Sequence, residues 1–250
     1  MQEAVSKMIE VRGLVKSFGS KVALEGVDLD VAEGEFLTLV GPNGAGKTTL
    51  IRILVTLARP TRGSVRVAGY DLARQGAEVR RCIGLASHQT LLYGDLSAEE
   101  NLRFYGRMYD VPDLEEGITA LLQCVDLDHR RRDLVRTFSR GMQQRLSLAR
   151  ALLHDPAILL LDEPYTGLDQ RASEVLKEVL VTLGGRSRTV LMTTHNLERG
   201  LELCDRAAIL ANGRIVHQAD QSNLDVASFR EAYRRCIDVS RFTFHGGVGR

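Results

Sequence analysis

The chain has 250 residues, 44% of them apolar and 26% charged. That is enough for one large α/β domain or two small ones, with a sizeable core. The 33 Lys and Arg nearly cancel the 32 Asp and Glu, leaving a net charge of +1, so bulk charge gives no reason to expect nucleic acid or an anionic membrane surface as a partner. The isolated cysteines Cys82, Cys124, Cys204 and Cys236 form no CxxC, CxxCH or metal-ligand spacing, which excludes a disulfide scaffold and fits a reduced cytosolic chain. The apolar runs Phe36–Val40 and Ala157–Leu161 are strand-sized, and the start MQEAVSKMIEV carries no apolar signal region. Any membrane role is therefore expected to come through a partner.

Taken in chain order, Ile9–Val15 and Val22–Val31 read as a strand hairpin turning near Gly19 and Ser20. Phe36–Val40 is a buried strand, followed by a glycine-rich loop and a helix over Lys47–Ala58. Gly63–Val67 and Arg80–Ala86 read as strands. From about Ser97 to Leu153 the pattern turns helical, over Ala98–Tyr109, Leu114–Val125 and Gln143–Leu153, with Ser97 and Glu100 spaced as a capping box. The α/β alternation then resumes with strand Ala157–Leu161, helix Arg171–Leu183, strand Thr189–Thr193 and helix Leu197–Leu203. Ala207–Leu210 and Arg214–Gln218 flank Asn212-Gly213, a hairpin signal. One helix and a frayed glycine-rich end are expected in the tail. The basic run Arg130–Arg132 reads as a solvated helix face.

The sharpest motif is GPNGAGKTT, residues 41–49. Gly41, Gly46, Lys47 and Thr48 fill the GxxxxGK[ST] template, with Pro42, Asn43, Gly44, Ala45 and Thr49 completing the loop. Glycines let the backbone wrap phosphate oxygens without Cβ clashes. The loop N–H groups and the following helix N-terminus favour an anion. Lys47 brings a point charge to the β- and γ-phosphates, and the Thr48 hydroxyl can ligate Mg²⁺. Taken alone, this motif fits a kinase or a GTPase as well as an ATPase. A second signal is Ile158–Leu161 followed by Asp162 and Glu163. A buried strand ending in a carboxylate presents it at the sheet's C-terminal edge, where Asp162 would hold Mg²⁺. Glu163 would polarise an attacking water, which argues for hydrolysis over phosphoryl transfer to another substrate.

Over about residues 8–217 the chain resembles the ATP-binding cassettes of ABC transporters. FSRGMQQR, Phe138–Arg145, is similar to the family signature LSGGQ: Ser139 and Gly141 match its serine and second glycine, while Phe138, Arg140 and Met142 depart from it. Gly167-Leu168-Asp169 resembles the D-loop, His195 the switch histidine that senses γ-phosphate, and Phe18 the aromatic that stacks on adenine; a core phenylalanine is the competing reading of Phe18. In ASHQT, ungapped comparison places His88 on the Q-loop glutamine and a one-residue adjustment places Gln89 there. Side-chain chemistry favours Gln89, whose amide can bridge Mg²⁺ and the attacking water.

The resemblance implies an α/β fold with a P-loop NTPase core, mainly parallel, carrying an N-terminal antiparallel β subdomain and an inserted helical subdomain at about 97–153. One cassette spans residues 1–220 and a short tail 221–250. It further implies ATP and Mg²⁺ as ligands and a second copy of the chain, whose Ser139 and Gly141 close over the γ-phosphate. A transmembrane permease would hold the chain peripherally at the cytoplasmic face of the cell membrane, moved through a groove near residues 86–96. Nucleic acid is not an expected partner. SRGMQQRLSLARALLHDPAILLLDEPYTGLDQ and SHQTLLYGDLSAEENL look like the haem-exporter ATPases of cytochrome c maturation, which implies haem export; a multidrug or polysaccharide exporter is the alternative. A ribosome- or DNA-acting ABC ATPase would bring a second cassette or long coiled coils, and a P-loop kinase gives no reason for Glu163, the signature and His195 together.

Overall fold

The computed structural model describes residues 6–184, 188–220 and 225–243. The chain divides into two compact units, Met1–Val79 with Leu191–Arg250, and Arg80–Val190.

The first unit contains two sheets. Strands β1 (Lys7–Phe18), β2 (Lys21–Ala32), β4 (Arg62–Val67) and β5 (Tyr70–Asp71) form a four-stranded antiparallel sheet in the order β2-β1-β4-β5. Its pairing sets Ile9 opposite Val31 and Val11 opposite Leu29, and all four are buried, so alternation fixes which face is the core face. In the other sheet β3 (Phe36–Val40) runs parallel to β9 (Arg206–Ala211), and β10 (Arg214–Asp220) returns antiparallel to β9. The Arg206 guanidinium joins Glu35 at 2.6 Å, tying the start of β9 to the turn before β3. The last residues of β8 (Thr189–Thr194) also enter this unit, where the Gly41 N–H donates to the Thr194 carbonyl at 3.2 Å. Helices α1 (Lys47–Leu54), α7 (Leu197–Leu201) and α8 (Val226–Thr243) complete it.

In the second unit β6 (Ile83–Ser87) and β7 (Ile158–Asp162) pair in parallel, Ile83 opposite Ile158 and Ser87 opposite Asp162. Around them run α3 (Ala98–Met108), α4 (Leu114–Cys124), α5 (Arg140–Leu152) and α6 (Gln170–Gly184). Helix α3 starts on the expected capping box: the Glu100 N–H donates to Ser97 Oγ at 3.2 Å and the Ser97 N–H to the Glu100 carboxylate at 2.8 Å. These reciprocal bonds satisfy donors that a helix start otherwise leaves open. Burial of α3 and α5 is completed by rings and cations. Arg150 lies 5.0 Å above the Tyr105 ring and donates to the Leu85 carbonyl at 2.7 Å. Tyr109 stacks on His154 with centroids 4.1 Å apart and planes 12° from parallel, and His154 Nε2 lies 3.0 Å from the Ile83 carbonyl.

Three sequence expectations are corrected here. Arg80–Ala86 is not one strand: α2 (Gly76–Cys82) is helical through Arg80–Cys82, and β6 starts at Ile83. In α2 only Val79 is buried, too few anchors in seven residues to show a 3.6-residue period. The first helix stops at Leu54 rather than Ala58, because Thr56 turns to φ 64° and the Leu57 and Ala58 N–H groups both fold back on the Arg52 carbonyl. Helix α5 begins at Arg140, with Ser139 as its N-cap. Of the expected tail, Val226–Thr243 forms α8, whereas residues 221–224 and the glycine-rich end 244–250 lie outside the described residues.

Burial, with the Arg150 charge adding to it, holds the His154 imidazole below its ordinary pKa of 6.5, against smaller opposing effects of the Ile83 carbonyl and Asp155. The folded ring therefore stays neutral while the unfolded chain takes up a proton as pH falls through 6.5, so stability falls on acidification. His154→Gln should flatten the decline in urea midpoint between about pH 7.5 and 5.5. An equally steep decline in that variant would rule out His154 as the source.

Candidate nucleotide site

In the first unit, residues 41–49 run from the end of β3 into the first turn of α1. The loop is tight because its neighbours leave no room for side chains. A Cβ on Gly41 would lie 2.3 Å from the Leu210 carbonyl oxygen, and one on Gly46 2.5 Å from that of Ala23. Gly44 and Gly46 have φ 83° and 111°, the left-handed region that glycine enters without penalty. The Gly213 N–H donates to the Ala45 carbonyl at 3.0 Å, tying the β9–β10 turn to the loop. Lys47 is 6% exposed and curls over the loop, its Nζ donating to the Gly41 and Pro42 carbonyls at 2.6 and 3.3 Å. In contrast to α3, α1 has no side-chain cap and no acidic residue in its first turn. Glycine-shaped backbone, a buried cation and an uncapped helix start fit a polyphosphate. Thr48 lies in that first turn.

Phe18, at the end of β1, is 53% exposed with Lys16 Nζ 4.7 Å from its ring centre. This excludes the core reading and leaves a ring face available for stacking. His195 follows the end of β8 and is exposed. Its neighbours are fixed: Thr194 is bonded to Gly41, and Asn196 caps α7 by accepting from the Arg199 N–H at 3.1 Å.

In the second unit, Asp162 ends β7 and is 2% exposed. Glu163 follows at φ 54°, a left-handed conformation that costs a non-glycine residue roughly 1–2 kcal/mol. The chain thus turns sharply between the two carboxylates, a feature with no mark in the residue pattern. The Thr166 N–H and hydroxyl reach back to the Glu163 carbonyl and carboxylate at 3.1 and 3.4 Å. Of the two Q-loop candidates, His88 is the one beside Asp162: its N–H donates to the Asp162 carbonyl at 3.1 Å, and Nδ1 lies 3.9 Å from Oδ2. Gln89 is exposed, and its carbonyl accepts from Ser87 Oγ at 2.6 Å. The ungapped comparison was the signal for His88.

Ser139 caps α5 by accepting from the Met142 N–H at 3.3 Å. Gly141 packs against α6, where a Cβ would stand 2.8 Å from Ala172 Cβ. Arg140 donates to the His88 carbonyl at 2.7 Å. In the D-loop, Asp169 caps α6 by accepting from the Ala172 N–H at 2.7 Å. Among the described residues no group of three or more His, Cys, Asp and Glu could hold a metal ion. A magnesium ion bound mostly by water and phosphate oxygens needs only one or two protein ligands, and the buried carboxylate of Asp162 suits such a role.

Residues 24–166 match the family model described as ABC transporter. The daunorubicin resistance ATP-binding protein DrrA3 of Streptomyces coeruleorubidus is 40% identical over 86% of this chain and 69% of its own length. The Nod factor export ATP-binding protein I of Cupriavidus pinatubonensis is 36% identical over 88% of this chain and 69% of its own. Among solved structures, the ATP-binding cassette MJ0796, a post-hydrolysis dimer bound to ADP and Pi, superposes with a TM-score of 0.78 at 25% identity, over 87% of this chain and all of that one. The chain belongs to the ABC transporter family. It has the ABC ATPase fold expected from the sequence and is the ATP-binding, ATP-hydrolysing subunit of such a transporter. These relatives are named for drug resistance and Nod factor export, and haem export finds no support among them.

Gly46→Ala should lower unfolding stability by roughly 2–4 kcal/mol, through the forced φ and the clash with Ala23; a wild-type urea midpoint would show that the loop can relax. Lys47→Ala should keep the fold and weaken ATP binding about 100-fold or more in calorimetric titration, since it removes the charge paired with phosphate.

Proposed function

We propose that this chain powers export of small organic compounds of the drug or Nod factor kind through a partner permease. The observation that carries this reading is the 40% identity with a drug-resistance ATP-binding protein over 69% of that protein's length. No helix among the described residues is long and apolar enough to cross a membrane, which suits attachment through the permease, at the cytoplasmic face.

In the proposed cycle, Phe18 stacks on adenine while the amides of Gly41–Thr49 and the Lys47 ammonium hold the β- and γ-phosphates. Thr48 and Asp162, with Gln89 or His88, would hold a magnesium ion, which would supply positive charge against the transferring phosphoryl group. Ser139 and Gly141 of a second copy close over the γ-phosphate. Glu163 accepts a proton from the attacking water and His195 donates a hydrogen bond to the γ-phosphate. Closure and reopening of the dimer turn nucleotide binding energy into a shift between two shapes, passed to the permease through the groove near residues 86–96.

Glu163→Gln should keep ATP affinity within about twofold, lower turnover about 100-fold or more, and elute as a dimer with ATP in size-exclusion chromatography. Wild-type turnover would remove the assigned role. For cargo, the transporter purified from its native membrane through this chain should show Mg-ATP turnover stimulated by daunorubicin or a Nod factor. Stimulation by haem alone would overturn the drug or Nod factor reading of the cargo.

A further inference from the structure

The hydroxyl of Tyr233, on α8, donates to the His195 carbonyl at 3.1 Å. This contact joins the tail helix to the histidine loop, and the proposed cycle uses only the second of these. The carbonyls on either side of it are also taken. Thr194 accepts from the phosphate-loop Gly41 at 3.2 Å, and Asn196 from Gly200 in α7 at 3.0 Å. Three successive peptide groups around His195 are therefore fixed to three different elements, and the bond at His195 itself comes from α8.

Helix α8 is well placed to act as an anchor. Asp225 caps it, accepting from the Ala227 and Ser228 N–H groups at 3.1 and 3.2 Å. Phe229 and Tyr233, one turn apart, share a face and are 1% and 9% exposed. They pack in one core with Val40, which precedes the phosphate loop, and with Leu197, Cys204, Ala207 and Ile209. Arg230 pairs with Glu198 of α7 at 3.2 Å. The Tyr233 ring is held by apolar packing, while its hydroxyl reaches the backbone oxygen of His195, whose imidazole is exposed.

We infer that Tyr233 is a positioning residue for hydrolysis: its hydroxyl fixes the His195 peptide, and so the aim of the imidazole toward the γ-phosphate. This rests on the reading of His195 as the γ-phosphate sensor. A net hydrogen bond of about 1 kcal/mol, lost from the aligned state alone, corresponds to about fivefold in rate. Nucleotide binding rests on the phosphate loop, so the effect should fall on kcat and spare KM.

The test is steady-state Mg-ATP hydrolysis by the purified full chain as wild type, Tyr233→Phe, His195→Ala and the double variant, with a thermal melt of each. Tyr233→Phe keeps the packed ring and removes only the hydroxyl. It is expected to lower kcat about three- to tenfold at unchanged KM, with a melting temperature within about 3 °C of wild type. In the His195→Ala background it should have no further effect on turnover. Wild-type kcat in Tyr233→Phe, a parallel loss in the His195→Ala background, or a rise in KM with a fall in melting temperature would each overturn the inference. Full activity of His195→Ala would remove the reading of His195 itself, and the inference with it, and that arm alone reveals this failure.

Discussion

The absence of a Cβ at Gly41 and Gly46 is the constraint on which the first unit's chemistry depends. The space those atoms would fill is taken by backbone oxygens, Leu210 from β9 and Ala23 from β2. The phosphate loop is thus wedged between two strands and clamped to the β9–β10 turn by the Gly213–Ala45 bond. Its shape is imposed by neighbours. Donors held this way meet an anion with little reorganisation, the condition under which electrostatic stabilisation is strongest. The same clamp bears on His195, since the Gly41 N–H that opens the loop is bonded to Thr194.

The second unit is held by a different balance. Helices α3, α5 and α6 start on side-chain caps at Ser97, Ser139 and Asp169. Asn101, fully buried, donates its amide to the Tyr93 and Ser97 carbonyls at 3.0 and 2.9 Å and accepts from the Tyr93 N–H at 2.8 Å. One side chain thereby orders the segment leading into α3. A half-buried cation in this unit meets a ring and a carbonyl: Arg150 lies over Tyr105 and bonds Leu85. Burial pushes the Arg150 pKa down, and placing a second charge at His154 would add repulsion in the same region. Neutral histidine is therefore part of the packing.

The parts legible in sequence were those whose physics is local. GPNGAGKTT declares its backbone through its glycines, and Ile158–Asp162 declares a buried strand through an unbroken apolar run. The Ser97–Glu100 box and the Asn212-Gly213 turn depend on residues only a few positions apart. What was not legible depends on distant neighbours. Seven residues with one buried valine cannot signal α2. Phe18 could be placed on the surface only once the end of β1 was known. The proximity of His88 to Asp162 is set by the parallel register of β6 and β7, with Ser87 opposite Asp162, and has no local mark. The Tyr233–His195 contact spans 38 residues and leaves no local pattern.

The signature segment shows how a motif can depart from its family form and keep its geometry. Where LSGGQ has two adjacent glycines, this chain has Arg140 and Gly141. The two positions differ physically. Position 141 faces α6, and a Cβ there would press on Ala172 at 2.8 Å, so close helix packing alone requires glycine. At position 140 the side chain leaves the helix start and its guanidinium finds the His88 carbonyl at 2.7 Å, a place where a long polar residue is accommodated. Ser139 is the cap of this helix, accepting from the Met142 N–H. Of the two glycines, the one replaced is therefore the one that packing does not demand. Gly141 has a role in joining α5 to α6 whether or not its N–H meets phosphate, so among the signature residues Ser139 carries the argument for anion contact.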